Sequence, residues 1–409
     1  MKLVAFLWVA FALNYVDRQM VYSMFPALQA DLGFSDVRLG LIGSVFLWVY
    51  TLSMPLAGRL ADRGRLERMI LASLLLWSVS TLGCGWSGSQ GSFLGWRAAM
   101  GLTEALYFPA ALALIASHYS DQARSRALGI HQSAQFAGVV IGGWYGGWSA
   151  DHVGWRQAFA LAGILGIGYS FVLWRALAKL ERPTPVDTHR AGNVRELLRS
   201  RCYVALCLAF AAFCAMQWIF FAWFPTFLYE SYHLSMTDSG WNATVFVQGS
   251  TIAGILGGGT LADKLSQRWP AARLYVSALG VLCCAPFAYL TFAADSLPMA
   301  RLYSAGFGLF AGSLAANAFA AAYDVVGRKN RGVGSGVLNM MGGLSSSAMI
   351  YMAGIWKTTI GFPVMMMWMM IVAVLAAILM ILATSKWFSA EAGPRPVVGG
   401  IPEKLGTPG

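Results

Sequence analysis

Runs of about 20 apolar residues recur along the whole chain, separated by short polar breaks. A run of that length crosses the hydrocarbon core of a bilayer as an α-helix, the open-chain conformation that satisfies its backbone hydrogen bonds within one segment. An outer-membrane barrel would instead show alternating segments of about 10 residues, and none are present. Only 11% of the 409 residues are charged and 57% are hydrophobic, whereas soluble proteins carry roughly 25% charged residues. The sequence therefore predicts an all-α integral membrane protein with about 12 transmembrane helices. The first six spans are expected near 3–28, 39–61, 68–88, 92–118, 125–150 and 156–180. The second six are expected near 202–230, 238–262, 271–293, 298–324, 331–357 and 361–386. The long polar connection 181–201 divides an N-terminal bundle, 1–180, from a C-terminal bundle, 202–388. Residues 389–409, rich in Gly and Pro, read as a disordered tail.

Charge sets the topology. The formal net charge is +11, and the basic residues cluster at Arg59–Arg68, Arg124–Arg126, Arg175–Arg201, Lys264–Arg273 and Arg328–Arg331. The intervening connections, around 29–38, 87–91, 231–240 and 294–297, hold few basic residues. Lys and Arg in short loops mark the cytoplasmic side, which puts both termini inside a cell inner membrane. Topology accounts for the positive charge, and nucleic acid is excluded as a partner. The six cysteines fall almost entirely within apolar runs, with no spacing that suits a metal site or a disulfide framework. The first run is too long for the apolar core of a leader and contains Asp17 and Arg18, so it reads as a span.

A repeat supports the two-bundle division. Gly58-Arg-Leu-Ala-Asp62-Arg63 ends the second span, and Gly259-Thr-Leu-Ala-Asp263-Lys264 ends the eighth. The glycine permits close helix approach, the aspartate suits a neighbouring helix N-terminus, and the basic residue faces the cytoplasm. Parallel halves of this kind place a substrate site near the midplane between them. The paired loops, twelve spans and central linker resemble the major facilitator superfamily over nearly the whole chain. Arg97-x-x-x-Gly101 in span four and Gly154-Trp155-Arg156 with Phe159 at span six resemble its signatures. The resemblance implies two pseudo-symmetric six-helix bundles and a gating role for Gly58, Asp62, Arg63, Asp263 and Lys264. One departure is that Gly64-Arg65 follows Asp62-Arg63 directly, where the family usually has one more residue, which tightens the loop.

Inside the spans the ionisable residues are few: Asp17 and Arg18 in span one, Arg97 and Glu104 in span four, and His131 toward the cytoplasmic end of span five. A charge at mid-bilayer costs at least about 2.5–3.5 kcal/mol on the insertion scale, so these groups need partners. Arg97 and Glu104, seven residues apart, share one helix face, while Asp17 and Arg18 lie about 100° apart on theirs. A buried ion pair that only fixes helix register is one reading. The other is proton coupling: desolvation favours the neutral carboxyl, a nearby arginine favours the carboxylate, and a moving cavity shifts that balance. Arginines held as bidentate donors also suit a carboxylate or phosphate.

Asn14-Tyr15-x-Asp17-Arg18, Arg97-x-x-x-Gly101-x-x-Glu104 and Tyr107-Phe-Pro-Ala110 resemble motifs of the anion:cation symporter group. So do Ser133-Ala-Gln135-Phe-x-Gly138, Trp223-Phe-Pro-Thr-Phe-Leu228 and Gly336-x-x-Asn339. That resemblance implies Asp17 and Glu104 as protonation sites, Arg18 as salt-bridge partner, and Arg97 as a partner of Glu104 or of substrate. Tyr15, Tyr50, Gln135 and Asn339 would line the site. The Spinster group, carriers of lysolipids and sphingolipids, shares the span-one and span-four charges and Ser44-Val45-Phe46. Tyr-Phe-Pro-Ala and Gly-x-x-Asn favour the organic-anion group. The apolar C-terminal half, with Trp218, Phe220, Phe221 and Met366–Met370, favours an amphiphile.

Several other residues have two readings. Gln217, Gln248 and Asn317 suit either substrate hydroxyls or interhelical hydrogen bonds. The glycines from Gly138 to Gly147 read as helix packing, and Gly143 stands where many exporters carry proline, which favours uptake. His131 suits proton shuttling by its near-neutral reference pKa, but its place near a cytoplasmic end favours a capping or headgroup role. An embedded enzyme would need a nucleophile, base and acid set or a metal cluster, and the sequence offers neither. The expected protein is a monomeric, proton-coupled symporter of a small organic anion or an amphiphile. It would use protons as coupling ion and neither cofactor nor metal.

Overall fold

The computed structural model describes residues 1–62, 65–178 and 193–391. The first half comprises α1 (Lys2–Ser23), α2 (Phe25–Leu32), α3 (Asp36–Ala61), α4 (Leu66–Gly85), α5 (Gln90–Glu104), α6 (Tyr107–His118), α7 (Asp121–His152) and α8 (Trp155–Leu177). A short α9 (Val194–Leu197) precedes α10 (Arg201–Tyr232), α11 (Met236–Arg268), α12 (Ala272–Phe292), α13 (Leu297–Val325), α14 (Arg331–Thr359) and α15 (Gly361–Glu391). Helix α1 runs into α2 across Met24, and α5 into α6 across Ala105 and Leu106, so the described residues make twelve elements of membrane-crossing length. Nine of these are long and apolar enough to cross a membrane by composition alone. The remaining three contain α1, α7 and α14; glycines of the last two, such as Gly138, Gly142 and Gly354, pack against neighbouring helices.

Both breaks have a local cause. Pro26 occupies the first turn of α2, and Pro109 is the third residue of α6. A proline lacks the N–H that would continue the ladder and crowds the carbonyl four residues earlier. The break after Glu104 therefore leaves that side chain at the end of a helix, inside the bundle. Residues 389–391 continue α15, and the Glu391 carboxylate accepts from Ser200 Oγ at 2.7 Å, Arg201 N at 2.9 Å and Cys202 N at 3.0 Å. That carboxylate caps the start of α10 and complements the positive end of its dipole. Part of the expected linker, 179–192, and the rest of the expected tail, 392–409, lie outside the described residues. The linker residue Glu196 on α9 binds Lys329 Nζ at 2.8 Å. Hydrogen bonds from Lys329 and Asn330 hold its carboxyl below the usual range.

The halves meet along two helix pairs, α3 with α14 and α7 with α11. Glycine makes the approach possible. A Cβ at Gly40 would lie 2.9 Å from Ile350 O, one at Gly354 2.5 Å from Asp36 O, and one at Gly147 2.0 Å from Met236 O. Gly143 opposes Gly240 in the same way. Ser44 Oγ donates to Ser347 O at 2.6 Å, and Asp151 accepts from Thr237 N at 2.7 Å, capping α11. Lys357 of α14 bonds Asp36 of α3 at 2.8 Å and Glu230 of α10 at 2.6 Å. All of these contacts lie toward the end that carries the 33–35, 153–154 and 233–235 connections.

At the opposite end the same helix faces part. Thr51 still touches Gly343, but a Cβ at Gly58, Gly129, Gly332 or Gly336 would meet nothing within 4 Å. The molecule is closed at one end and open at the other, where the Arg- and Lys-rich connections lie. Each charge-assisted bond of Lys357 is worth roughly 1.5–3 kcal/mol before discounting for exposure. Substituting Lys357→Met should therefore raise the population opened at this end by about tenfold, or ~1.4 kcal/mol. Spin labels at Arg38→Cys and Thr358→Cys would report it as a longer distance component; an unchanged distribution would remove the tether from the account.

Candidate functional site

Helix α1 brings its two charges to opposite neighbours. Asp17 Oδ2 accepts from Thr81 Oγ1 of α4 at 3.2 Å. Arg18, one residue on and so about 100° around the helix, donates through Nε to Glu104 Oε2 at 2.6 Å. The Arg18 and Glu104 side chains are 7% and 0% exposed. The pair joins α1 to the α5–α6 break.

Aromatic rings complete the setting of Arg18. Its guanidinium carbon lies 4.4 Å from the Tyr50 ring centroid, 5.1 Å from Tyr15 and 5.1 Å from Phe46. Phe46 also lies 4.7 Å from the Arg97 guanidinium. One ring thus separates two cations, each drawn to its negative face. Arg97 does not reach Glu104. Its Nε donates to Ile42 O at 3.3 Å and Nη1 approaches Met100 Sδ at 3.2 Å, and among the described residues it has no acidic partner. The shared helix face expected from their spacing of seven does not make Arg97 and Glu104 a pair, because Arg18 arrives from another helix at shorter range.

The two signatures resembling the superfamily prove to be docking strips. Arg97 bonds Ile42 O, and a Cβ at Gly101 would lie 2.4 Å from Phe46 O, so residues four apart on α5 match residues four apart on α3. Gly154 adopts φ +94° at the start of α8, a conformation natural to glycine. Trp155 Nε1 then donates to Asp31 Oδ2 at 2.9 Å, and Arg156 forms an ion pair with the same carboxylate.

The other expected site residues divide into two sets. Tyr15, Tyr50 and Gln135 are half-buried; the two tyrosines flank Arg18, and Gln135 lies one turn from Gly138, which abuts Tyr15. Asn339 is exposed on the α14 face that carries Gly336 and Gly343, facing the opening between the halves. Asn317, by contrast, donates to Gly258 O at 3.2 Å and Ser313 O at 2.8 Å, so its amide binds α11 to α13 and does not line the opening. Asp263 pairs with Arg273 of α12 at 2.9 Å, and Arg273 with Asp324 at 3.4 Å. Asp62 ends α3, Gly58 meets nothing nearby and Lys264 is exposed, whereas Arg63 lies outside the described residues.

His131 departs from the capping role expected of it. It is fully buried, stacked on Phe11 at 4.6 Å, with Nε2 3.2 Å from Tyr107 Oη. Phe220 and Met366 are packing residues at 0% exposure, Phe220 stacking on Phe307 at 4.5 Å. Trp218 and Phe221 remain half-buried. Gln19 Nε2 donates to Phe221 O at 3.3 Å, which sets α10 beside α1. The two helices run in the same direction, so Gln217 and Trp218 stand level with Tyr15. Sequence reasoning did not assign roles to Phe46 or Thr81; a ring four residues before Tyr50 and a hydroxyl in an apolar span were the available signals.

The α5–α3 strip can be tested directly. Gly101→Val should cost about 1–3 kcal/mol through overpacking and lower the thermal unfolding midpoint in detergent. An unchanged midpoint would mean that α5 and α3 can separate freely.

The chain matches the Major Facilitator Superfamily over residues 7–350 and 206–402. It is similar to a probable galactarate/D-glucarate transporter of Escherichia coli (strain K12), 25% identical over 84% of each chain. It is 26% identical to protein spinster of Drosophila melanogaster over 67% of this chain and 47% of that one. Both groups whose motifs the sequence resembles are thus represented. The fold matches the crystal structure of a bacterial homologue of the human lysosomal transporter Spinster, inward-facing and occupied, with a TM-score of 0.84 at 19% identity over 96% of this chain and 98% of that one. Twelve helical elements among the described residues, a buried ionic site and these matches place the chain in the Major Facilitator Superfamily, as a multi-pass membrane transporter and not an enzyme.

Proposed function

We propose that this transporter is a proton-coupled symporter of a small organic anion, acting as a monomer in a cell inner membrane with both termini in the cytoplasm. The observation that carries the reading is the Arg18–Glu104 pair, buried at 2.6 Å beside the opening between the halves. Asp17, Glu104, Arg18 and Arg97 sum to zero charge when all are ionised. A proton on Glu104 removes the counter-charge of Arg18 and leaves the cluster one unit positive, which a monoanion neutralises. Charges buried in a low-dielectric site make that exchange of partners strongly favoured over an unpaired arginine.

Arg18 suits the incoming carboxylate because its guanidinium offers a planar fork of donors, held in place by Tyr15, Tyr50 and Phe46. Arg97 Nη2 is buried without a hydrogen-bond partner among the described residues, and the Asn14 amide lies beside the Glu104 carboxyl. An unsatisfied buried group costs roughly 1–3 kcal/mol, which supports a site that takes up another partner during a cycle. Asp17, on the other side of α1, is the second protonation site. Across the opening, Gln217 and Asn339 supply neutral polar groups for substrate hydroxyls. The Arg- and Lys-rich end is cytoplasmic, which makes the arrangement of the halves inward-open.

An amphiphilic substrate is the second reading, favoured by Trp218 and Phe221 opposite Tyr15. Thermal-shift measurements with sugar acids, other carboxylates and lysolipids at two pH values would separate the two. Stabilisation by a sugar acid or other small carboxylate is expected, greatest at the lower pH; stabilisation by lysolipid alone would replace the organic anion as substrate. In proteoliposomes, Glu104→Gln should abolish uphill accumulation driven by a proton gradient while allowing substrate exchange. Uphill uptake equal to that of the unmodified protein would overturn the coupling role.

A further inference from the structure

Away from the opening between the halves, the start of α1 and the end of α8 meet at the outer surface of the N-terminal half. Lys2, Phe6, Phe171, Val172 and Arg175 line a crevice there of about 600 Å³. Tyr169 Oη donates to Phe6 O at 2.7 Å and locks the two helices together beneath it. Lys2 and Phe6 are four residues apart on α1, as are Phe171 and Arg175 on α8, so each cation stands one turn from an aromatic ring on the same face. The Arg175 guanidinium lies 5.0 Å from the Phe171 ring centroid.

Lys2, Phe171, Val172 and Arg175 are exposed, and among the described residues no carboxylate lies within ion-pair distance of either cation. Trp174, 52% exposed, projects from the same last turns of α8. Tryptophan at a helix end marks the level of lipid headgroups. The crevice therefore has two cations at the membrane surface and an apolar body running toward the bilayer interior.

We propose that this crevice binds an anionic phospholipid of the leaflet at the open end. The headgroup phosphate lies between Lys2 and Arg175, and an acyl chain runs over Phe6, Phe171 and Val172. Basic pockets between membrane helices select anionic headgroups through near-surface charge. A free phosphate would use the two cations and leave the apolar floor unused; a diacyl lipid uses both.

Native mass spectrometry of the full chain, released from phosphatidylglycerol and phosphatidylcholine mixtures, tests the assignment. The unmodified protein should retain one phosphatidylglycerol more tightly than phosphatidylcholine. A Lys2→Gln, Arg175→Gln variant should hold it about tenfold less tightly, since both near-surface cations are gone. Val172→Trp, which fills the crevice and keeps both charges, should also lose it. A Lys2→Arg, Arg175→Lys variant should retain it, showing that the exposed substitutions leave the fold intact. Equal retention by the glutamine variant would overturn the site. Retention by Val172→Trp would reduce it to diffuse surface charge, and displacement by excess inorganic phosphate would overturn the lipid as occupant.

Discussion

A buried ion pair between Arg18 and Glu104 organises the N-terminal half. Two charges removed from water are tolerated when each satisfies the other, and removing one typically costs 3–5 kcal/mol. The pair demands that α1 approach the α5–α6 break closely, which the 2.6 Å contact achieves. It also demands that α3 supply Tyr50 and Phe46 around the guanidinium. Those rings can be there only because Gly101 lets α5 lie against α3. Pairing, ring placement and glycine contact are consequences of one need, to keep a charge content in a membrane.

The C-terminal half carries no such need in its core and is built differently. Phe220 stacks on Phe307 and meets Phe292 edge-on, the Met365, Met366 and Met369 side chains fill in, and Asn317 binds helix to helix. Toward the opening it presents neutral groups such as Gln217 and Asn339, and its charged contact with the other half, Lys357 to Asp36, lies at the closed end. A division of labour follows: one half manages charge, and the other presents a wall that tolerates movement.

The contact between the halves at the closed end is tight because glycine is placed there on both partners. Gly40 and Gly354, and Gly143 with Gly240, let backbones touch, and Lys357 and Asp151 add directional bonds. Farther along the same faces Gly58 and Gly336 have no counterpart within reach. Small residues at both levels suit helices that close at either end in turn, since a bulky side chain would hold the halves apart.

Much of this was legible in the sequence. Apolar length and charge content determine a polytopic helical protein, because a backbone in lipid has few ways to satisfy its hydrogen bonds. The matched Gly-x-Leu-Ala-Asp segments suggested a repeat, and charges in apolar runs singled out Asp17, Arg18, Arg97 and Glu104, all four of which are buried. Pairing was legible only in part: the family resemblance offered Arg18 as a salt-bridge partner but did not say of which carboxylate. Spacing on one helix suggested Arg97 with Glu104, whereas the partner is Arg18, 86 residues away. The fate of the polar side chains was not legible: Asn317 and His131 are consumed in packing, while Asn339 faces the opening. Periodicity reports which residues share a face of their own helix. Which helix that face meets is decided by how twelve elements pack, and a sequence read one segment at a time carries no such distances.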